Sequence, residues 1–180
     1  MLSCDSEKPV LDADPTATMN AVANQLPVVC ESKEEANPQS SEDPILIDMC
    51  LWDRYFSRTT SYPDRYGRYS YSEYQLGIIE NGEMRAVNND EFFSQNLTIL
   101  ETLVNSEMRN QFDLNSKDPE NSECLQNQTL QNYTINNVGI RFIEPYEIEF
   151  SISLGLGMHC LPVDQISVTF HLSDIQNFMN

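Results

Sequence analysis

Basic side chains are scarce in this chain. Ten lysines and arginines stand against 28 aspartates and glutamates over 180 residues, a formal net charge of −18. A surface of that sign repels phosphate backbones and anionic bilayers, which argues against non-specific nucleic-acid or membrane binding. Long apolar runs are also missing, and none approaches the ~18 residues that a bilayer span needs. The opening Met1-Leu2-Ser3-Cys4-Asp5-Ser6-Glu7 has neither a basic region nor an apolar one, so it does not read as a secretory leader. Histidine occurs twice, as His159 and His171. Phosphate-binding glycine loops, G-x-S-x-G, H-E-x-x-H and calcium-loop patterns are absent. The five cysteines (4, 30, 50, 124 and 160) are odd in number, irregularly spaced and without a C-x-x-C pair. That excludes the usual zinc and dithiol signatures and leads us to expect reduced thiols in a cytoplasmic protein. In that setting the N-x-T triplets at Asn96, Asn127 and Asn132 read as products of an asparagine-rich composition. No cofactor or metal is implied.

What is present divides the chain in two. Residues 1–43 are rich in acid, proline and serine, with no aromatic residue and no glycine. Such a composition cannot bury enough apolar surface to offset its ordering entropy, so we expect a disordered acidic tail. A short marginal helix through about Leu26, with Met19, Val22 and Ala23 on one face, is the one element expected there. Residues 44–180 then form a single domain. Asp43-Pro44 suits a helix start, and Ile45, Met49, Trp52 and Phe56 form a helical stripe, although Ile45, Ile47, Met49 and Leu51 also alternate as in a strand.

Asn81-Gly82 between Gln75–Glu80 and Glu83–Val87 predicts a two-residue hairpin whose central residues both need positive φ. Asn89 can cap a helix from about Asp90 to Gln111 that buries Phe92, Phe93, Leu97, Leu100, Leu103, Val104 and Met108. Residues 113–127 read as a polar loop. Strands are expected over Thr129–Ile135, Val138–Ile143, Tyr146–Leu154 and Ile166–Leu172, followed by a short helix from Ser173 to Phe178. The fold class is therefore α+β: an antiparallel, meander-like sheet of about five or six strands with two main helices packed on one face.

Candidate chemistry is thin. His159 and Cys160 are adjacent, so their side chains diverge, and a thiol enzyme would need His171 to approach Cys160 across a turn. Glu147 and Glu149 share a strand face, a spacing that suits an acid–base pair or a cation, but alternation with Ile148 and Phe150 explains them as the wet side of a sheet. One segment stands apart. Residues 54–74 hold four of the seven arginines (54, 58, 65 and 68) and six of the eight tyrosines (55, 62, 66, 69, 71 and 74). Tyr62-Pro63-Asp64-Arg65-Tyr66-Gly67 carries turn residues, so a surface loop running into a strand at Tyr69 is expected. Arginine and tyrosine anchor protein interfaces by combining apolar bulk with directional hydrogen bonding. The candidate partner-binding residues are Arg58, Tyr62, Arg65, Tyr66, Arg68 and Tyr69.

These features favour a non-enzymatic interaction or regulatory protein that binds a protein partner. Two other classes fit the same chain. One is an acidic nucleic-acid mimic or immunity-type inhibitor of a basic protein; the other is an enzyme whose carboxylates converge only in space.

Overall fold

A computed structural model describes residues 26–38, 43–64, 69–156 and 160–180. Their chain order is β1 (Val29–Glu35), β2 (Ile45–Trp52), β3 (Tyr55–Pro63), β4 (Tyr69–Glu80), β5 (Glu83–Val87), α1 (Asn89–Phe92), α2 (Leu97–Lys117), α3 (Ser122–Leu125), a 3-10 turn at Ile135–Asn137, β6 (Gly139–Ile143), β7 (Glu147–Ser153), α4 (Leu161–Asp164), β8 (Gln165–His171) and α5 (Leu172–Ile175), with a last 3-10 turn at Gln176–Phe178. The class is α+β, but the strands form two antiparallel meanders rather than one: β1-β2-β3-β4-β5 and β6-β7-β8.

The first difference from expectation is β1, which lies inside the stretch read as tail. Its ordering has local causes. All seven residues pair with β2, from Val29 opposite Leu51 to Glu35 opposite Ile45. Cys30 and Cys50 face each other across that ladder and form a disulfide. Val28 is buried, and its N–H donates to Pro145 O at 2.8 Å. Cys30 N donates to Glu144 Oε1 at 2.8 Å, and Trp52 Nε1 donates to Leu26 O at 2.9 Å. The acidic side chains stay outside; the backbone supplies the order. The remaining parts of the expected tail, including Met19 to Ala23, lie outside the described residues.

The second difference is β2, where a helix was favoured. Ile45 and Ile47 are buried on one face, and Cys50 and Trp52 on the other. Residues of both phases find cover, so the apolar positions mimic a helical stripe when read locally. The reversal at Asp53 (φ 54°) and Arg54 then sends β3 back along β2.

The helical layer also differs. The segment from Asn89 is interrupted: α1 ends at Phe92, and α2 begins after Asn96, which is left-handed at φ 50°. Consecutive helical residues diverge by about 100°, yet Phe92 and Phe93 are both fully buried, edge to face at 4.8 Å. The break lets both rings enter the core. The C-terminus is tied to it, with Asn180 N donating to Phe92 O at 2.9 Å and Ser94 Oγ donating to Asn180 Oδ1 at 2.8 Å. Only α2 is long. It buries Leu100, Val104, Met108 and Phe112 and packs on β8, so two main helices on one face are not what forms. It runs on to Lys117 and is followed by α3, where a loop was expected; residues 128–134 are irregular instead of a strand.

The last three strands and the terminal helical turn lie where expected. Ile140, Phe142, Ile148, Phe150, Ile166 and Val168 are buried on one face of the smaller sheet. Its other face is not wet. β7 is buried on both sides, and Glu149, expected in solvent, is 9% exposed and ion-paired with Arg141 at 2.7 Å. The reason is that the larger sheet covers that side. Phe142 N donates to the buried Ser57 Oγ at 2.8 Å, and the Tyr74 ring occupies the space where a side chain on Gly139 would stand.

The thiol expectation fails. Cys30–Cys50 and Cys124–Cys160 are disulfides, and the fifth cysteine, Cys4, lies outside the described residues. Reducing compartments do not normally keep such bonds. A cytoplasmic location loses the support it drew from unpaired cysteines.

Two measurements check this architecture. Asn81 and Gly82 have φ of 55° and 81°, the primed turn expected from their identity. Gly82→Val should lower stability by about 1 kcal/mol or more, read as a lower urea midpoint, because a β-branched residue resists positive φ. Replacing Cys124 and Cys160 together by alanine opens a link of sequence separation 36. Chain-entropy reasoning puts the loss near 3–4 kcal/mol, and an unchanged midpoint would show that the bond does not form.

Candidate functional site

In the larger sheet, successive side chains alternate between an inner face that meets the smaller sheet and an outer face. The pairing register assembles the outer face row by row. Lys33, Ile47, Thr60 and Glu73 make one row, then Glu31, Met49, Arg58 and Gln75, then Val29, Leu51, Phe56, Gly77 and Ala86. Tyr62 and Tyr71 pair beyond Thr60 at one end, and Ile79 and Met84 pair at the other. Ile45, Ile47, Phe56 and Thr60 are buried on this face, while other positions on it are open. Val29, Leu51, Tyr71 and Met84 are four of the seven large apolar side chains left exposed. Gly77 is required here for space: a Cβ would stand 2.1 Å from two atoms of the Phe56 ring and 2.6 Å from Arg85 O.

Arg58 sits in the middle row, half-buried, and its Nε is buried without a hydrogen bond to any described residue. The other described arginines are engaged. Arg54 Nη2 donates to Asn180 O, Arg85 pairs with Glu91 and Glu80, Arg109 Nη2 donates to Asn132 Oδ1, and Arg141 pairs with Glu149. A buried donor left unpaired costs about 1–3 kcal/mol, so an acceptor brought to Arg58 would recover most of that penalty. Nearby groups set the local charge. Lys33 Nζ lies 2.5 Å from Glu35 Oε1. That hydrogen bond and the lysine's charge hold the Glu35 carboxyl below its usual range, with Arg58 acting in the same direction. Tyr62 donates to Glu73 Oε2 at 3.0 Å. That bond, together with burial and the carboxylate's charge, raises the Tyr62 phenol above its usual range.

Beside these residues lies a cleft of about 1180 Å³. It is lined by Arg58, Thr60, Tyr62, Tyr71 and Glu73 and turns around β4 to reach Asn136. β4 pairs with β5 only from Leu76 onward, so Tyr69–Gln75 is bonded to β3 alone and keeps one backbone edge free of a described strand. Such an edge accepts an extended peptide by adding a strand.

Of the six residues singled out in the sequence, the structure brings Arg58 and Tyr62 onto this face, and Tyr69 begins β4. Arg65, Tyr66 and Arg68 lie outside the described residues. The segment is not one surface loop: most of it forms the paired strands β3 and β4. The exposed apolar residues Val29, Leu51 and Met84 on this face were not anticipated; the alternation over Ile45–Leu51 was the available signal. The alternative chemistries lose their parts. Cys160 is bonded to Cys124 and offers no thiol to His171, whose Nδ1 meets Ser173 Oγ at 2.7 Å. Glu149 is engaged by Arg141 rather than free to act with Glu147.

Comparison with protein-family models, with curated proteins and with solved structures finds no match. No helix among the described residues is long and apolar enough to cross a membrane.

Ionisation of the site's tyrosine provides a check. Tyr62 should give up its proton at higher pH than an ordinary exposed tyrosine. In an ultraviolet tyrosinate titration, Tyr62→Phe should remove a late component of the curve. Loss of an ordinary component instead would mean that the Glu73 bond does not persist in solution.

Proposed function

We propose that the chain is a non-enzymatic binding protein whose outer sheet face, centred on Arg58, holds a protein partner. The observation that carries this reading is the buried Arg58 Nε, unbonded among the described residues, within a face that also exposes Tyr71, Leu51, Val29 and Met84. Interfaces combine an apolar centre with a few directional groups, and arginine and tyrosine are the residues that most often dominate their energy. The partner's matching group is an acceptor, a carboxylate or a main-chain carbonyl, set among apolar side chains. The free edge at Tyr69–Gln75 favours a partner segment that arrives extended. A nucleic-acid ligand fits poorly with a net charge of −18. The two disulfides suit an oxidising compartment, and we place the function there rather than in the cytoplasm.

The test is to measure affinity and thermal midpoint together on Arg58→Ala and Arg58→Lys, using the partner recovered with the wild-type chain. An anchoring arginine should cost about 2 kcal/mol on truncation, roughly 30-fold in Kd. Lysine should restore little, because it lacks the planar fork. Unchanged affinity with a lowered midpoint would mean that Arg58 serves the sheet alone.

A further inference from the structure

The three N-x-T triplets acquire a different meaning once the disulfides are known. In a chain with 17 asparagines some triplets arise by chance, so accessibility and compartment have to decide. A transferase reaches only an exposed triplet. Asn96, Asn127 and Asn132 are all exposed, as are Thr98, Thr129 and Thr134, the hydroxyl residues two positions on. None lies in a strand: Asn96 is the left-handed residue before α2, and the other two lie in the irregular stretch between α3 and β6.

Their amide nitrogens make no hydrogen bond to a described residue. Asn96 makes no side-chain capping bond. Asn132 engages only its oxygen, which accepts from Arg109 Nη2 at 2.8 Å, leaving Nδ2 outward. Two asparagines outside such triplets spend that same atom on structure. Asn89 Nδ2 donates to Ile135 O and Val138 O, and Asn105 Nδ2 donates to Glu101 O and Tyr133 O.

The disulfides supply an independent observation. Asparagine glycosylation and protein disulfide formation share a compartment, the oxidising entry to the secretory route. Cys124 stands three residues before Asn127 in sequence, so one of the bonds closes the very segment that carries two of the triplets.

We infer that Asn96, Asn127 and Asn132 are acceptor sites for N-linked glycans. The donor class is a lipid-linked oligosaccharide pyrophosphate. The asparagine Nδ2 bonds to the sugar's C1 as the C1–O bond to phosphate breaks; the lipid pyrophosphate leaves, and Nδ2 loses one proton. The threonine hydroxyl two residues on positions the acceptor in the transferase. At Asn132 the glycan and the Arg109 bond coexist, because they use different atoms of the amide. All three glycans stand on the segment between α1 and β6, and none on the five strands of the larger sheet. This inference is independent of the partner reading, since it rests on other residues.

The full chain isolated from its own host provides the test. It is digested with peptide-N-glycosidase in heavy-oxygen water and mapped by mass spectrometry. The expected result is labelled aspartate at positions 96, 127 and 132, with a gel shift of three steps before complete digestion. Thr98→Ala, Thr129→Ala and Thr134→Ala, each keeping its asparagine, should remove one step apiece, which separates triplet-dependent glycosylation from other modification. Unlabelled asparagine at all three positions would overturn the inference. So would labelling that survives the threonine substitutions.

Discussion

A continuous line of aromatic rings holds the two sheets together, and the rest of the structure is arranged around it. Trp52 stacks on Tyr55 at 5.8 Å in the larger sheet. Tyr55 meets Phe92 edge to face at 5.0 Å, and Phe92 meets Phe93 at 4.8 Å. Phe93 reaches Phe150, and Phe150 reaches Phe170, at 5.9 and 5.6 Å in the smaller sheet. Phe142 closes the path back to Trp52 at 6.0 Å. Each such pair is worth about 0.5–1.5 kcal/mol beyond the area it buries, and the rings also supply much of the core's apolar surface. For Phe92 and Phe93 to serve both sides, the helix that carries them has to break. The break at residues 93–96 is then sealed by the C-terminal Asn180.

The bridge also decides what is left over. It engages the inner face of the five-stranded sheet, and the long helix is committed to β8 on the smaller sheet. On the outer face Ile45, Ile47, Phe56 and Thr60 are buried, but Leu51, Met84 and Tyr71 stay in solvent. The polar groups trapped between the sheets have a different fate. Glu149 pairs with Arg141, and Ser57 bonds to the β6 backbone, so that interior is satisfied while the outer face is not.

How much of this was legible in the sequence follows from the range of the forces involved. The Asn81-Gly82 hairpin and the strands β6, β7 and β8 rest on turn chemistry and strict alternation, which act over a few residues, and they are where the sequence puts them. β1 could not be read, because Lys33, Glu34 and Glu35 carry no apolar pattern; their order comes from pairing with residues 45–51 and from a disulfide across 20 positions. The Glu147/Glu149 alternation was visible, but whether the second face of that strand is wet depends on a sheet formed a hundred residues earlier. For the candidate site, Arg58 and Tyr62 stood out by residue type. Their neighbours Val29, Leu51 and Met84 join them only through register, which no local pattern encodes. Cysteine spacing failed for the same reason: a disulfide is a statement about distance in space.

The central claim is that the outer face of the five-stranded sheet is the binding surface, left free because the aromatic bridge occupies the other side. Oxidative side-chain footprinting of the chain with and without its partner tests it most directly. Tyr71, Met84 and Leu51 should be protected in the complex, while Ile99 and Leu114, exposed on the long helix, should oxidise as before. Protection of Ile99 and Leu114 with Tyr71 and Met84 unchanged would contradict the account and move the interface to the helix.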